Sequence, residues 1–201
     1  MTYPYTSGQV VTAADMNSGG LHLITPSSVT GGTLSGATVN FTNTNAISID
    51  GVFSSDFDNY RIMFNSTGTS ASSGFKDIFY RWRTGAGDRN VNDYWWAFFG
   101  YNYLGSVNNS ATANSTIGYT GGFTNSTSAY TKMAMDVFSP NISTEASIMQ
   151  THFHGNDTNS IDFRIGGSGY RILEAHTGIT FSATTGETMS GFIRVYGYSN
   201  G

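Results

Sequence analysis

The chain of 201 residues contains no cysteine, which excludes disulfides, thiolate metal sites and a cysteine nucleophile. That absence fits assembly in a reducing cytoplasm. Lysine occurs only at Lys76 and Lys132, and the net charge is −4. With no basic stripe, binding to a nucleic-acid backbone is not expected. No run approaches the roughly 18 apolar residues of a membrane span. The N-terminal Met-Thr-Tyr-Pro-Tyr has neither the basic n-region nor the apolar h-region of a secretory signal, so neither membrane insertion nor secretion is expected. Charged residues make up only 11% of the chain, too few for the Glu- and Lys-rich composition of a helical protein.

Glycine, Ser, Thr and Asn abound instead, with 12 Tyr and 14 Phe, a profile of short strands joined by tight turns. The clearest strand is Tyr94 to Tyr103. In an extended chain Tyr94, Trp96 and Phe98 share one face while Trp95, Ala97, Phe99, Tyr101 and Tyr103 share the other. Both faces are apolar, which predicts cover on both sides, by a second sheet and by a loop or neighbouring subunit. Trp82, Tyr94, Trp95, Trp96, Phe98, Phe99 and Tyr101 are therefore candidate core or interface aromatics. Rigid rings among short polar side chains also make sugar- or protein-binding surfaces.

Other segments alternate in the same way. Tyr60, Ile62 and Phe64 face one side, as do Met133, Met135 and Val137 in a strand that closes at Pro140. Further strands are expected at Ile148 to Phe153 and Ile161 to Ile165, after which Gly166-Gly-Ser-Gly169 reads as a turn. Ile179 to Tyr198 reads as a hairpin turning at Thr184-Thr-Gly-Glu187, and residues 104 to 129 as exposed loops around a short Ile117 to Phe123 stretch. No repeat of 20 to 50 residues supports a propeller or solenoid. The expected fold is all-β, a jelly-roll-like antiparallel β-sandwich over residues 21–201. Residues 1–20 stand apart as an arm, where Thr12-Ala-Ala-Asp15 has the form of a capping box and Gly19-Gly20 stops the helix. One or two helical turns are not stable alone, so this arm docks either on its own domain or on a partner.

Catalytic and metal motifs fail on inspection. Asp88-Arg-Asn-Val-Asn92 starts like a calcium loop, but Asp93 stands where its glycine belongs and Phe99 where its glutamate belongs. His152 and His154 would share a strand face, and on a threefold axis such pairs can surround one metal ion; a paired or exposed histidine is the simpler reading. There is no nucleophile elbow, zinc-binding helix or phosphate loop. Neither enzymatic activity nor a cofactor is expected.

Three segments carry a family resemblance. Gly8-Gln-Val-Val-Thr-Ala-Ala-Asp-Met-Asn17 resembles a segment near the N-terminus of many tailed-bacteriophage virion proteins, where a glycine and a small apolar run precede Thr-Ala-x-Asp-Leu/Met-Asn. Phe53-Ser-Ser-Asp-Phe-Asp-Asn-Tyr-Arg-Ile62 and Ser190-Gly-Phe-Ile-Arg-Val-Tyr-Gly-Tyr198 resemble the strand-entry and closing strands of small phage β-sandwich domains. The resemblance implies a non-enzymatic virion protein, commonly a homotrimer, assembled in the bacterial host cytoplasm. Its arm would dock on phage capsid or tail proteins through Val10, Val11, Thr12, Asp15, Met16 and Asn17. Capsid decoration as a cement or head-fibre protein ranks first, because no heptad, Gly-X-Y or β-helical repeat supplies a shaft. A tail-fibre or receptor-binding tip that adheres to a host surface glycan or protein is the alternative. A carbohydrate-binding module is the third reading and would need neither arm nor oligomer.

Overall fold

The computed structural model describes residues 20–69, 75–102, 105–124, 130–157 and 160–198. The expected helical turn and the arm residues Val10, Val11, Thr12, Asp15, Met16 and Asn17 lie outside the described residues. The described chain is an all-β, jelly-roll-like sandwich in which every strand pairing is antiparallel. Strands β1 to β5 span Leu21–Ile24, Ser28–Thr30, Thr33–Ser35, Thr38–Thr44 and Ala46–Asp50. Strands β6 to β11 span Asn59–Thr69, Phe75–Thr84, Gly87–Asp88, Tyr94–Asn102, Val107–Ser115 and Gly118–Thr124. Strands β12 to β16 span Tyr130–Phe138, Ser147–Asp157, Ser160–Tyr170, Gly178–Ala183 and Thr188–Tyr198.

A ten-stranded sheet runs in the order β10-β9-β14-β13-β12-β6-β16-β4-β3, with β1 also beside β16. A six-stranded sheet runs β11-β7-β15-β5-β2, with β8 beside β7. The two sheets close on each other because their alternating apolar residues have nowhere else to go. Tyr60, Ile62, Phe64, Met133, Met135, Val137, Ile193 and Val195 of the large sheet face Ile47, Ile49, Ile78, Tyr80, Trp82, Ile179 and Phe181 of the small one, and all are buried. Rings interlock across the gap: Phe64 meets Phe181 edge-on at 5.3 Å and Tyr80 meets Tyr94 at 5.7 Å. Removing such side chains from water stabilises the fold by roughly 1.5–3 kcal/mol each. The chain leaves β5 through Gly51 at φ +68°, where a Cβ would come within 2.3 Å of the Ser27 hydroxyl.

Several expectations are overturned. Residues 107–115 are not a loop but the edge strand β10, exposed along most of its length; its Asn, Ser and Thr side chains suit an edge that faces water on both sides. Gly166-Gly-Ser-Gly169 is not a turn but lies within β14, where its glycines admit close neighbours: a Cβ at Gly166 would come within 3.1 Å of the Ala97 carbonyl oxygen. The segment from Ile179 to Tyr198 is not a hairpin. β15 is almost wholly buried and therefore sits centrally in the small sheet between β7 and β5, and the turn at residues 184–187 carries the chain across to the large sheet. Of the cover expected on β9, the second sheet lies on one face, and within the single chain the described residues leave the other face open. Tyr94 is buried and Trp96 and Phe98 are half-buried against the small sheet, while Trp95, Ala97, Phe99 and Tyr101 are exposed.

Candidate functional site

The outer face of the large sheet is built from side chains of opposite parity to the core. The register aligns them in rows across the strands. One row reads Asn109, Phe99, Ile165, His152, Ala134, Met63 and Arg194 from β10 to β16. The next, two residues along each strand, reads Val107, Tyr101, Phe163, His154, Lys132, Asn65 and Phe192. Between Phe99 and Met63 in the first row and Tyr101 and Phe192 in the second, these side chains line a groove of about 740 Å³, within the size range of small-molecule and cofactor sites. Where Ala97 and Gly167 leave the following row low, a second hollow of about 510 Å³ continues the trough along Phe99 and Ile165.

The floor is aromatic and exposed. Phe163 is 54% and Ile165 57% exposed, with Phe99 and Tyr101 close to half. The His154 ring stacks on Phe163 at 4.6 Å with planes 4° apart, and Phe99 meets Tyr101 edge-on at 5.1 Å. Among the described residues the groove lining contains Asn65, Lys132, Arg164 and two imidazoles but no Asp, Glu, Ser or Thr. The described lining therefore offers neither a carboxylate pair nor a hydroxyl nucleophile beside a base. The acid nearest to it on this face, Asp136, is engaged: Arg61 Nε and Nη2 donate to its two oxygens at 2.8 and 2.7 Å, and the Tyr198 hydroxyl donates at 2.6 Å. The Arg61 hydrogen bonds hold that carboxyl below its usual range against the opposing effect of burial.

The sequence-derived candidates divide between two sites. Trp82 and Tyr94 belong to the core, where the Tyr94 hydroxyl accepts the Trp82 backbone N–H at 2.9 Å and donates to the Arg89 carbonyl at 3.0 Å. Trp96 and Phe98 point inward, Phe98 stacked on Tyr119 and Trp96 tilted against it. Phe99 and Tyr101 reach the groove, as do His152 and His154, which share the outer face of β13. Trp95 lies further along this outer face, lapped over Gly169, where a Cβ would come within 2.4 Å of its indole. Phe163, Ile165, Met63, Lys132, Asn65 and Phe192 complete the groove and were not singled out from sequence. Asp88, considered for calcium, accepts hydrogen bonds from Arg83 and from the Thr180 hydroxyl on the far sheet.

No family model and no curated protein matches the sequence. Among solved structures, the chain is similar to the exoplasmic/lumenal domain of VIP36 in its Ca2+/Man3GlcNAc-bound form, at 12% identity and a TM-score of 0.36 over 87% of this chain and 86% of that one. It is similar to the PL-14 alginate lyase of Aplysia kurodai at 8% identity and a TM-score of 0.38, over 86% and 80% of the two chains. It is also similar to the CBM2 module of the evolved Dit of Lactobacillus casei BL23 phage J-1, at 5% identity and a TM-score of 0.28 over 97% and 89%. None of these similarities assigns a ligand to this chain.

Proposed function

We propose that the chain is a non-catalytic virion protein of a tailed phage, fastened to a capsid or tail protein by residues 1–20, whose large sheet holds a host-surface glycan. The observation that carries the glycan reading is the groove. Tyr101, Phe163 and His154 present rings on three adjacent strands, and Asn65, Lys132 and His152 lie beside them as hydrogen-bonding groups. Flat apolar faces take the C–H faces of sugar rings at little entropic cost, and the polar side chains take hydroxyls. Exposed apolar area of this extent marks a binding surface, since water gains by its removal. The particle reading rests on the segment from Gly8 to Asn17 and its resemblance to phage virion proteins. Glycan arrays followed by titration calorimetry test the groove. Phe163→Ala, at an exposed position, leaves the thermal melt unchanged and weakens binding by about 1–3 kcal/mol, as loss of one ring from a binding surface does. Binding that survives this substitution at full strength would place the saccharide elsewhere.

A second reading is favoured by Ile165 and Met63, exposed aliphatic side chains that offer no flat face to a sugar. In it the same face buries against copies of the chain in the homotrimer. Sedimentation equilibrium separates the two. A trimer that Ile165→Asp disperses assigns the groove to the subunit contact, and a monomer that binds glycan assigns it to the ligand.

A further inference from the structure

Resting on the glycan reading, we infer that the saccharide is anionic, its acidic groups held by Lys132 in the groove and by Arg194 beside it on β16. The chain as a whole is acidic, at −4, with nine Lys and Arg side chains. Six of them, Arg61, Lys76, Arg83, Arg89, Arg164 and Arg171, are in ion pairs. Among the described residues the other three make no ion pair. One, Arg81, is on the small sheet and donates to the Thr116 carbonyl. The remaining two are both on the outer face of the large sheet, with β6 between their strands. Lys132 stands in the row between His154 and Asn65 with its ammonium 5.4 Å from the Tyr130 ring centre. Arg194 stands beside Met63, its Nε donating to the Thr38 hydroxyl at 3.0 Å and its guanidinium over Phe192 at 5.1 Å.

Among the described residues no carboxylate lines the groove, and Asp136, the acid in the adjoining row, is already held by Arg61 and Tyr198. Two cations without counter-ions among the described residues, beside an apolar floor that excludes water, form a field complementary to an anion. On the other side of Lys132 from Arg194, His152 and His154 add ring N–H donors. A neutral glycan would leave both cations unpaired at the edge of a desolvated surface. A glycan bearing carboxylates, sulfates or phosphates pairs them, and its sugar faces still rest on Phe163 and Tyr101.

Affinity electrophoresis of the full chain tests this with two matched pairs, polygalacturonate against its carboxyl-reduced form and dextran sulfate against dextran. The expected result is retardation by one or both acidic polymers that their neutral partners do not reproduce. It weakens with added salt. In Lys132→Gln it falls by about tenfold, the loss of one charge-assisted hydrogen bond. Which acidic polymer retards the chain distinguishes carboxylate from sulfate. Equal binding of acidic and neutral partners overturns the anionic assignment and leaves the glycan reading standing. Retardation that neither Lys132→Gln nor Arg194→Gln reduces places the anion site outside the groove and also overturns it. Failure of all four polymers together with every glycan on the arrays overturns both readings.

Discussion

Trp82 and His176 stack in the middle of the sandwich, ring centroids 5.3 Å apart and planes 12° apart, both fully buried. Neither ring nitrogen of His176 has a hydrogen-bond partner among the described residues. Burial disfavours the imidazolium, Glu174 opposes that and Arg89 reinforces it, and the group is pushed down to about 4. An unfolded histidine titrates near pH 6.5, so between about 6.5 and 4 the unfolded chain binds a proton that the folded one refuses. The contribution is present in full above pH 6.5 and is lost as the pH falls towards 4, on the order of 3 kcal/mol. Asp136, held below its usual range, is lost in the same direction at lower pH. Asp77, raised by its burial, works the other way, since its folded form takes up a proton more readily than the unfolded one. His176→Phe keeps the stack on Trp82 and removes two unpaired nitrogens. Thermal scans at pH 7 and pH 4.5 then show a smaller drop for the variant than for the native chain, by several degrees at about 2–4 °C per kcal/mol. Equal drops in both would mean that another group governs acid sensitivity.

At the scale of elements, β14 joins the two sheets through charge. Arg164 Nε and Nη2 both donate to Asp162 Oδ2, at 3.0 and 2.6 Å, and Nη1 reaches across to the Tyr119 hydroxyl on β11 at 2.6 Å. Its guanidinium lies over Phe98 at 4.7 Å, and both members of the pair are about one-tenth exposed. Breaking a buried pair on one side strands the other charge. Arg164→Met is therefore expected to cost about 3–5 kcal/mol in urea unfolding, and Asp162→Asn on the same background to restore part of it. A double variant no more stable than the single one would show that Tyr119 and Phe98, not Asp162, are what Arg164 serves.

The same strand shows where sequence reading stops. Alternation placed Tyr60, Ile62 and Phe64, and Met133, Met135 and Val137, on the buried face correctly, because their opposite faces are mixed or polar. In Ile161 to Ile165 the alternation points Phe163 and Ile165 inward and Asp162 and Arg164 outward, and the fold does the reverse. Register decides it: Phe163 pairs with His154 and Tyr101, whose strands already commit their other faces to the core through Phe153 and Phe98. Pairing between distant strands is invisible in a local pattern. For the same reason Phe99 and Tyr101 were legible as notable aromatics, while the groove they share with Phe163, Met63 and Lys132 was not.

For the whole molecule, the register gives the domain two distinct ends. Leu21 pairs with Tyr198, so the chain leaving Gly20 towards residues 1–19 starts at the end of the large sheet where Asn59, Phe138 and Tyr170 also lie. The groove rows at Met63 to Asn65, Lys132 to Ala134 and Phe163 to Ile165 lie displaced towards the opposite end of those strands. An arm that grips a particle at one end leaves such a groove turned outward. The four pairings of β1 with β16 are made by Leu21 to Ile24 and are all retained when residues 1–20 are removed. The truncated chain is therefore expected to melt like the full one and to keep its glycan binding, yet to fail to sediment with particles of the presumed phage that lack the native protein. Gold labelling with an antibody to residues 104–129 then locates the full chain: label over the head makes the partner a capsid protein, label on the tail a tail protein. Sedimentation of the truncated chain with particles would mean that the sandwich itself makes the attachment, and the exposed edge and outer face of the large sheet would become the surface to test for it.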